Sequence, residues 1–201
     1  MKAAASTVVS ALLLAGCLSI PDVPPRDHFV LDDASGARAV KPAASVDRVL
    51  LVGPASASPF YDTQNLVFSR ASGQRAYYQF AAWTERPGKR LSELLARRLE
   101  AGGGFRSVAA TTSGVKGDVV LNTRLEEFYH DVSGKPGSVR IEVTAELVEL
   151  AGREVIARRR FVQASPAGGE NAQAAVAAFN QATAALLDEM AAWVEQAAAK
   201  K

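Results

Sequence analysis

The stretch Val139–Leu147 reads VRIEVTAEL and decides the fold class, because apolar and polar residues alternate along it without interruption. Successive side chains of a β-strand point to opposite faces, so this pattern predicts a strand with one buried face and one polar face. The residues expected on the buried face are Val139, Ile141, Val143, Ala145 and Leu147.

Two neighbouring stretches extend this strand into a three-strand meander. Residues 118–128 (DVVLNTRLEEF) alternate in the same way and precede the turn sequence SGKPG at residues 133–137. After a turn at residues 151–152, residues 154–163 (EVIARRRFVQ) form a third predicted strand. Consecutive strands joined by short turns pair antiparallel, which predicts a sheet with one face on the core.

Shorter elements precede and follow this meander. Strands are predicted over residues 28–31, 46–52, 65–70, 76–83 and 105–110. Helical spacing of apolar residues predicts a short central helix around Leu91–Leu99 and a long C-terminal helix over residues 170–199. The expected fold is α+β: a single domain over residues 28–199, with a mostly antiparallel sheet covered by the two helices.

The first seventeen residues have the pattern of an export signal. Lys2 precedes an uncharged run over residues 3–16, which is too short to span a hydrocarbon core of about 30 Å and fits a secretory signal peptide. The run ends in Leu-Ala-Gly-Cys, and Cys17 is the only cysteine of the chain. This motif resembles a bacterial lipobox, which implies cleavage between Gly16 and Cys17 and acylation of Cys17 on its sulfur and its new amino group.

A lipidated Cys17 would anchor the protein to a membrane. One acyl chain binds a bilayer only marginally, whereas two or three anchor stably. The Pro-rich residues 18–27 predict an extended tether, so residues 17–27 form the lipidated cysteine and its linker. In enterobacterial lipoproteins, an Asp directly after the lipidated cysteine retains the protein at the inner membrane. This chain has Leu18 at that position, so resemblance to those lipoproteins favours the outer membrane. The alternative is an ordinary signal peptide followed by a buried structural cysteine.

Composition excludes several classes of protein. The chain has 201 residues, 48% of them apolar and 22% charged, which is typical of a globular protein and not of a disordered one. A net charge of +2 provides no strong electrostatic basis for a nucleic-acid partner. One cysteine and two histidines exclude a Cys-rich zinc site or an iron–sulfur cluster within one chain. Common nucleophile, zinc and phosphate-loop motifs are absent from the sequence. We therefore expect that the protein is not an enzyme and that it carries no metal and no cofactor beyond the acyl chains.

One group of side chains resembles a metal or acid–base cluster. Glu126, Glu127, His130 and Asp131 lie at the end of a predicted strand. Neighbouring residues of a strand point to opposite faces, which separates Glu126 from Glu127. A solvated loop rim is therefore the favoured interpretation, and a hydrolase that uses this cluster is the alternative.

Two sets of residues are candidates for contact with a partner. Arg158 and Arg160 are expected on the face of their strand opposite Arg159, either as charges that protect an edge strand or as contacts to a partner or a phospholipid headgroup. In the second set, alternation places Tyr78 with Phe80 on one face, and Tyr77 with Trp83 on the other. The residues offered for partner contact are Tyr77, Tyr78, Trp83, Arg158 and Arg160. The aromatic members are core residues in the alternative interpretation.

The order of these segments resembles the ABC-type transport auxiliary lipoproteins over most of residues 28–195. The resemblance rests on a lipobox and Pro-containing tether, the strand AYYQFAAW (76–83), the helix Leu91–Leu99, the segment Leu121–Phe128, the alternating strand Val139–Leu147, a strand ending in Arg160-Phe161, and a final helix with Trp193. Members of that family are similar to partners of mammalian-cell-entry (MCE) substrate-binding proteins.

The resemblance implies a docking role in lipid transport between membranes. The protein would be an adaptor lipoprotein on the periplasmic face of the outer membrane, with an MCE-domain protein as partner, possible self-association, and an ATPase on other chains. Two alternatives remain open. One is a lipid carrier that holds an acyl chain between its sheet and long helix, and the other is an envelope-assembly lipoprotein.

Overall fold

A computed structural model describes residues 24–36 and 45–200 of the chain. The strands are β1 (Asp27–Phe29), β2 (Val46–Val52), β3 (Ser56–Ala57), β4 (Asn65–Ser69), β5 (Ala76–Trp83), β6 (Phe105–Ala110), β7 (Val119–Asp131), β8 (Ser138–Glu149) and β9 (Glu154–Pro166). The helices are α1 (Pro87–Gly102) and α2 (Ala172–Ala199). The α+β class and both expected helices are confirmed, while Gly16, Cys17 and the tether as far as residue 23 lie outside the described residues.

Strands β7, β8 and β9 form the expected antiparallel meander. β8 pairs with β7 from Asp131↔Ser138 to Val119↔Glu149, and β9 pairs with β8 along its whole length. β7 and β9 each continue three residues beyond the predicted strand, to Asp131 and Pro166. All five residues predicted on the inward face of β8 are buried. The alternation pattern therefore identified the buried face correctly.

The N-terminal strands join the meander in parallel, which alternation does not encode. β7 pairs with β2, β3 and β4 along its other edge, at Leu50↔Val119, Ser56↔Arg124 and Phe68↔His130. β6 adds to β2 and β1 adds to β5, both in parallel, whereas β4 and β5 form an antiparallel hairpin. The two longest pairs of the sheet, β7–β8 and β8–β9, are antiparallel.

Both helices pack against one side of the sheet. α1 ends at Gly103, whose positive φ of 68° suits a residue without a Cβ and whose N–H bonds the Glu100 carbonyl. α2 begins at Ala172, two residues later than expected, because the Asn171 side chain caps it by accepting the N–H of Ala174 at 2.8 Å. Among the described residues, no helix is long and apolar enough to cross a membrane.

The centre of the core is a group of three aromatic rings between the sheet and α2. Phe128 of β7 and Phe179 of α2 stack at 4.2 Å between ring centroids. Trp83 of β5 meets both rings edge-on, at 5.7 and 5.5 Å. All three side chains are essentially inaccessible to solvent, so they bury a large apolar area.

A buried arginine ties the N-terminal segment to the two helices. Arg98 of α1 forms ion pairs with Asp33 and with Asp188 of α2, and donates to the Ser35 hydroxyl at 2.7 Å. Burial raises the pKa of Asp33, but hydrogen bonds from Arg98 and Ser35 outweigh it and hold that pKa below its usual value. Arg90 adds a hydrogen bond of 2.8 Å to the carbonyl of Leu31. The segment that follows the expected tether is thus firmly attached to the domain.

Candidate functional site on the open face of the sheet

The sheet has one face that no helix of the described residues covers. Side chains of α1 and α2 meet the sheet on the side of Leu125 and Val143. The polar residues that alternate with these two therefore point away from the helices. We call this second side of β4, β5, β7, β8 and β9 the open face.

A β-bulge in β7 changes which residues reach the open face. Leu125 lies opposite Val143, and the next paired residue, Glu127, lies opposite Glu142. Glu126 has no residue opposite it on β8, so the strand gains one residue at this point. Strict alternation ends here, so side chains after the bulge point to the face opposite the one that alternation predicts.

Both glutamates at the bulge lie on the open face. Glu126 forms an ion pair with Arg124 at 3.1 Å. Glu127 forms an ion pair with Arg140 of β8 and a second one with Arg75 at 3.3 Å. The prediction that Glu126 and Glu127 point to opposite faces is wrong, because it assumed an unbroken strand.

Charged side chains form a continuous network across the open face. It runs from Arg75 through Glu127, Arg140 and Glu142 to Arg160 of β9, and includes an Arg140–Glu142 contact of 2.8 Å. Hydrogen bonds from Arg160 and Arg140 lower the pKa of Glu142 in spite of its burial. We call these five residues the open-face network. Its arginines outnumber its glutamates, and Arg160 is its most exposed member.

Aromatic rings continue the network at the β5 end. The Arg75 guanidinium lies 3.6 Å from the ring centroid of Tyr129 and donates to the Tyr61 hydroxyl at 2.9 Å. Burial raises the pKa of Tyr61, so this hydroxyl is neutral. Beside it, Phe60 and Tyr77 stack with centroids 4.8 Å apart and stay 38% and 41% exposed. We call Phe60 and Tyr77 the aromatic pair.

The chemistry of this face is that of non-covalent recognition. Exposed tyrosine and arginine side chains on a rigid sheet are the residue types that contribute most to protein–protein contacts. Sequence analysis identified Tyr77 and Arg160 but missed Phe60, Arg75 and Glu142. The polar position of Glu142 was visible in VRIEVTAEL. No pattern pointed to Phe60 or Arg75, because both lie in irregular segments next to strands.

Trp83 is a core residue and cannot contact a partner. Its side chain is only 1% exposed, within the aromatic core described above. The pairing of β5 with β4 explains why Trp83 does not share a face with Tyr77, because Asn65 lies opposite Ala82 whereas Val67 lies opposite Tyr77. β5 has extra residues between these two positions, so alternation does not hold across them.

The same irregularity places Tyr78, and not Tyr77, on the helix side with Trp83. The Tyr78 hydroxyl lies 2.8 Å from Nδ1 of His130 and 3.1 Å from the Glu170 carbonyl. Tyr78 has one hydroxyl hydrogen, so both contacts are satisfied when it donates to Glu170 and accepts from His130 Nδ1. Burial raises the pKa of Tyr78 to about 12 and lowers the pKa of His130, so both groups are neutral.

The cluster of acidic residues and histidine is divided between the two faces. His130 is fully buried on the helix side, so the expectation of a solvated loop rim is wrong for this residue. Glu126 and Glu127 lie on the open face, and the Asp131 carboxylate accepts from the N–H and hydroxyl of Ser133. No group of three potential ligands among the described residues is arranged to hold a metal ion. The structure thus separates the groups that the hydrolase alternative requires.

The arginines of β9 lie at the free edge of the sheet. Arg160 faces the open side with Glu142, while Arg159 pairs with Glu189 of α2 on the helix side. These opposite placements agree with the predicted alternation. Arg158 is exposed and lies opposite Glu146 of β8. Contact between Arg158 or Arg160 and a partner stays a prediction.

The space between the sheet and the long helix is almost filled. A cavity of about 10 Å³ lies between Leu91, Leu125, Val143, Leu186 and Met190. That volume is enough for about one water molecule and far too small for an acyl chain.

Comparison with known proteins places this fold in a family. A family model described as the ABC-type transport auxiliary lipoprotein component matches residues 29–191. The chain belongs to this family. The resemblance inferred from the order of segments is therefore confirmed. The family is one of lipoproteins, whose members are anchored to a membrane of the cell envelope, and it is a transport component and not a known enzyme family.

Solved structures share the fold of this auxiliary lipoprotein. Protein XCC0632 of Xanthomonas campestris, assigned to DUF330, is 24% identical and has a TM-score of 0.77 over 87% of this chain and 98% of its own. The hypothetical protein CT253 of Chlamydia trachomatis is 11% identical, with a TM-score of 0.58 over 78% and 100%. The PelC dodecamer of Paraburkholderia phytofirmans is 16% identical, with a TM-score of 0.50 over 76% and 92%. No curated protein sequence matches the chain significantly.

Proposed function

We propose that this protein is the membrane-anchored docking component of an ABC-type, MCE-associated system that moves lipid between bacterial membranes. The observation that carries the proposal is the family match over residues 29–191, together with the Leu-Ala-Gly-Cys motif that ends at Cys17. Acyl chains on Cys17 would hold the domain at the periplasmic face of the outer membrane. Energy for transport would come from an ATPase on another chain.

The open face supports a docking role. The aromatic pair and the open-face network present tyrosine, phenylalanine and arginine side chains on a rigid sheet. An anchored domain is confined to a thin layer beside the membrane, which raises its effective concentration for an MCE-domain partner that reaches that layer. Weak contacts at this face would then be sufficient for function.

Two observations bear on the alternatives. The cavity of about 10 Å³ between sheet and α2 favours docking over a carrier with an acyl chain inside this domain. The PelC dodecamer shares the fold, and this supports self-association as a further property of the protein. In that case several copies would present their open faces to one partner.

A test of the anchor compares two changes near the lipobox. Cys17→Ala removes the acylated sulfur, and we expect a protein that is released from membranes and does not restore a deletion strain. Leu18→Asp keeps Cys17, and by resemblance to enterobacterial sorting it should move the anchored protein to the inner membrane. Membrane fractionation and complementation of the deletion strain are the measurements. Full complementation by Cys17→Ala would contradict the proposal.

A test of the docking face uses photo-crosslinking in living cells. A photoreactive amino acid replaces Tyr77 or Arg158 on the open side, or Glu100, an exposed residue at the end of α1, as the matched control. We expect crosslinks to an MCE-domain protein from positions 77 and 158 and none from position 100. Crosslinks from position 100 alone would place the contact on the helix side and contradict the docking face.

A further inference from the structure

The last strand of the sheet has a long, regular and unpaired edge. β9 spans thirteen residues and pairs only with β8, and no other part of the described chain bonds its outer edge. From Ala157 to Pro166 its register with β8 is unbroken, a length of about 34 Å at about 3.4 Å per residue. Proteins usually keep such edges short or covered, because they pair readily with another strand.

The edge is protected over only part of its length. Arg158, Arg159 and Arg160 interrupt its first half with charge, and Pro166 ends it. The stretch Phe161–Ser165 between them has no charge, and Val162 is 42% exposed. This arrangement discourages indiscriminate pairing but leaves the edge open to a strand of complementary charge.

Positive charge lies on the outside of this edge and negative charge lies further in. Glu142 of β8 pairs with Arg160, and Glu189 of α2 pairs with Arg159. Arg158 forms no ion pair with any described residue, although Glu146 lies opposite it on β8. β9 has no carboxylate between Ala157 and Pro166, so a strand added along this stretch would lie beside its guanidinium groups.

An indole ring lies beneath the same edge on the helix side. Trp193 of α2 is half-buried and meets the buried Phe161 ring at 5.5 Å and an angle of 74°. Glu189 lies one helical turn earlier, where it accepts from Gln163 of β9 at 2.8 Å. A side chain from an added strand would cover the exposed part of Trp193 and exclude water from it.

We propose that the free edge of β9 binds a short acidic β-strand of a partner protein. Backbone hydrogen bonds would extend the sheet by one strand, with carboxylates beside Arg158 and Arg160 and an apolar side chain over Trp193. The inference rests on the proposed docking role and names the kind of segment that the partner supplies.

A second copy of this chain fits the edge less well than an acidic strand. Antiparallel alignment of two Ala157–Pro166 edges would place Gln163, Ala164 and Ser165 opposite the three arginines. None of these residues has a carboxylate, so six guanidinium groups would gain no new counter-charge.

Synthetic peptides test the edge directly on the purified acylated protein in detergent. The probe is a peptide of alternating valine and glutamate, about ten residues long. One control replaces each glutamate with lysine, and a second carries N-methyl groups on alternate residues, which remove backbone donors without changing the side chains. We expect only the unmodified acidic peptide to change Trp193 fluorescence and to slow amide hydrogen exchange in β9. Trp83 is buried and provides a constant background.

Two matched variants separate charge recognition from general effects. Arg158→Glu should weaken binding of the acidic peptide by roughly two- to five-fold, the loss expected for a cross-strand charge pair, and should strengthen binding of the lysine peptide. Arg97→Glu, at an exposed position of α1, should leave both affinities unchanged. Trp193→Phe should abolish the fluorescence signal but keep the slower exchange in β9.

Three results would overturn the inference. They are equal binding of the N-methylated peptide, unchanged affinities in Arg158→Glu, and self-association through β9 when a crosslinker is placed at Val162. These measurements are independent of the Cys17→Ala test. Failure of the peptide experiment alone would leave the docking role intact, and failure of complementation alone would leave the edge site intact.

Discussion

Replacement of Trp83 tests whether its side chain lies in the core or on a contact surface, and it is the sharpest test of the fold. Trp83→Ala removes an indole that is 1% exposed and touches both Phe128 and Phe179. Tyr77, six positions earlier on the same strand, is 41% exposed. We therefore expect Trp83→Ala to lower the free energy of unfolding, and Tyr77→Ala to weaken partner binding with little effect on stability.

The size of the effect follows from burial. Truncation of a fully buried Trp or Phe to Ala destabilises a protein by about 3–5 kcal/mol. The indole N–H of Trp83 has no hydrogen-bond partner among the described residues, so the change loses no hydrogen bond and belongs at the lower end, about 3–4 kcal/mol. For a domain of this size, that corresponds to a fall in Tm of roughly 6–16 °C.

Urea and thermal unfolding followed by circular dichroism are the assays. The control Trp83→Phe keeps an aromatic ring in the cluster and removes the unpartnered N–H, so we expect a loss of less than about 1.5 kcal/mol. Tyr77→Ala should change the free energy of unfolding by less than about 1 kcal/mol, because the ring is largely at the surface. The same Tyr77→Ala protein should lose binding of the partner at the open face.

A fall in Tm of less than about 2 °C in Trp83→Ala would refute this reasoning. It would mean that the aromatic core is loosely packed, or that Trp83 lies at the surface. A loss in Tyr77→Ala as large as that in Trp83→Ala would contradict the assignment of Tyr77 to the open face.

Two further predictions concern buried charges and titratable groups. Arg98→Met leaves the carboxylates of Asp33 and Asp188 without their shared partner, and since Asp188 is about half exposed we expect a loss of about 2–3 kcal/mol in urea unfolding. A loss below about 1 kcal/mol would show that Arg98 does not hold the N-terminal segment. Burial lowers the pKa of His130 below its unfolded value of about 6.5, so the unfolded chain binds the proton first and stability falls as pH drops from 7 towards 5. Urea unfolding at pH 5, 6 and 7 measures this slope, which His130→Gln should flatten; an equal slope in both proteins would contradict the explanation.

Periodicity was sufficient to predict the long strands, both helices and the buried face of the meander, but not the two-residue strand β3. The pattern in Val139–Leu147 repeats every two residues, and burial of one face follows from that repeat alone. Helix α1 was equally clear, because its apolar residues recur at helical spacing and Gly103 ends it. These features depend only on residues close together in the chain.

Errors in the prediction arose where a strand contains extra residues. The bulge at Glu126 moved Glu127 to the face that alternation had assigned to apolar residues. Extra residues between Tyr77 and Ala82 exchanged the faces expected for Tyr77 and Tyr78. A bulge is defined by the opposing strand, so a single-strand pattern does not contain it.

Local order along the chain therefore determined which segments are strands and helices, where the lipobox-like motif lies, and which family the sequence resembles. Tertiary structure alone decided that Arg75 meets Glu127, that His130 is buried beside Tyr78, and that β9 ends the sheet with a free edge. The physical reason is separation along the sequence. Periodicity within one segment indicates only how the residues of that segment are divided between its two faces. The open-face network and the β9 edge depend on the register between segments that are far apart in sequence.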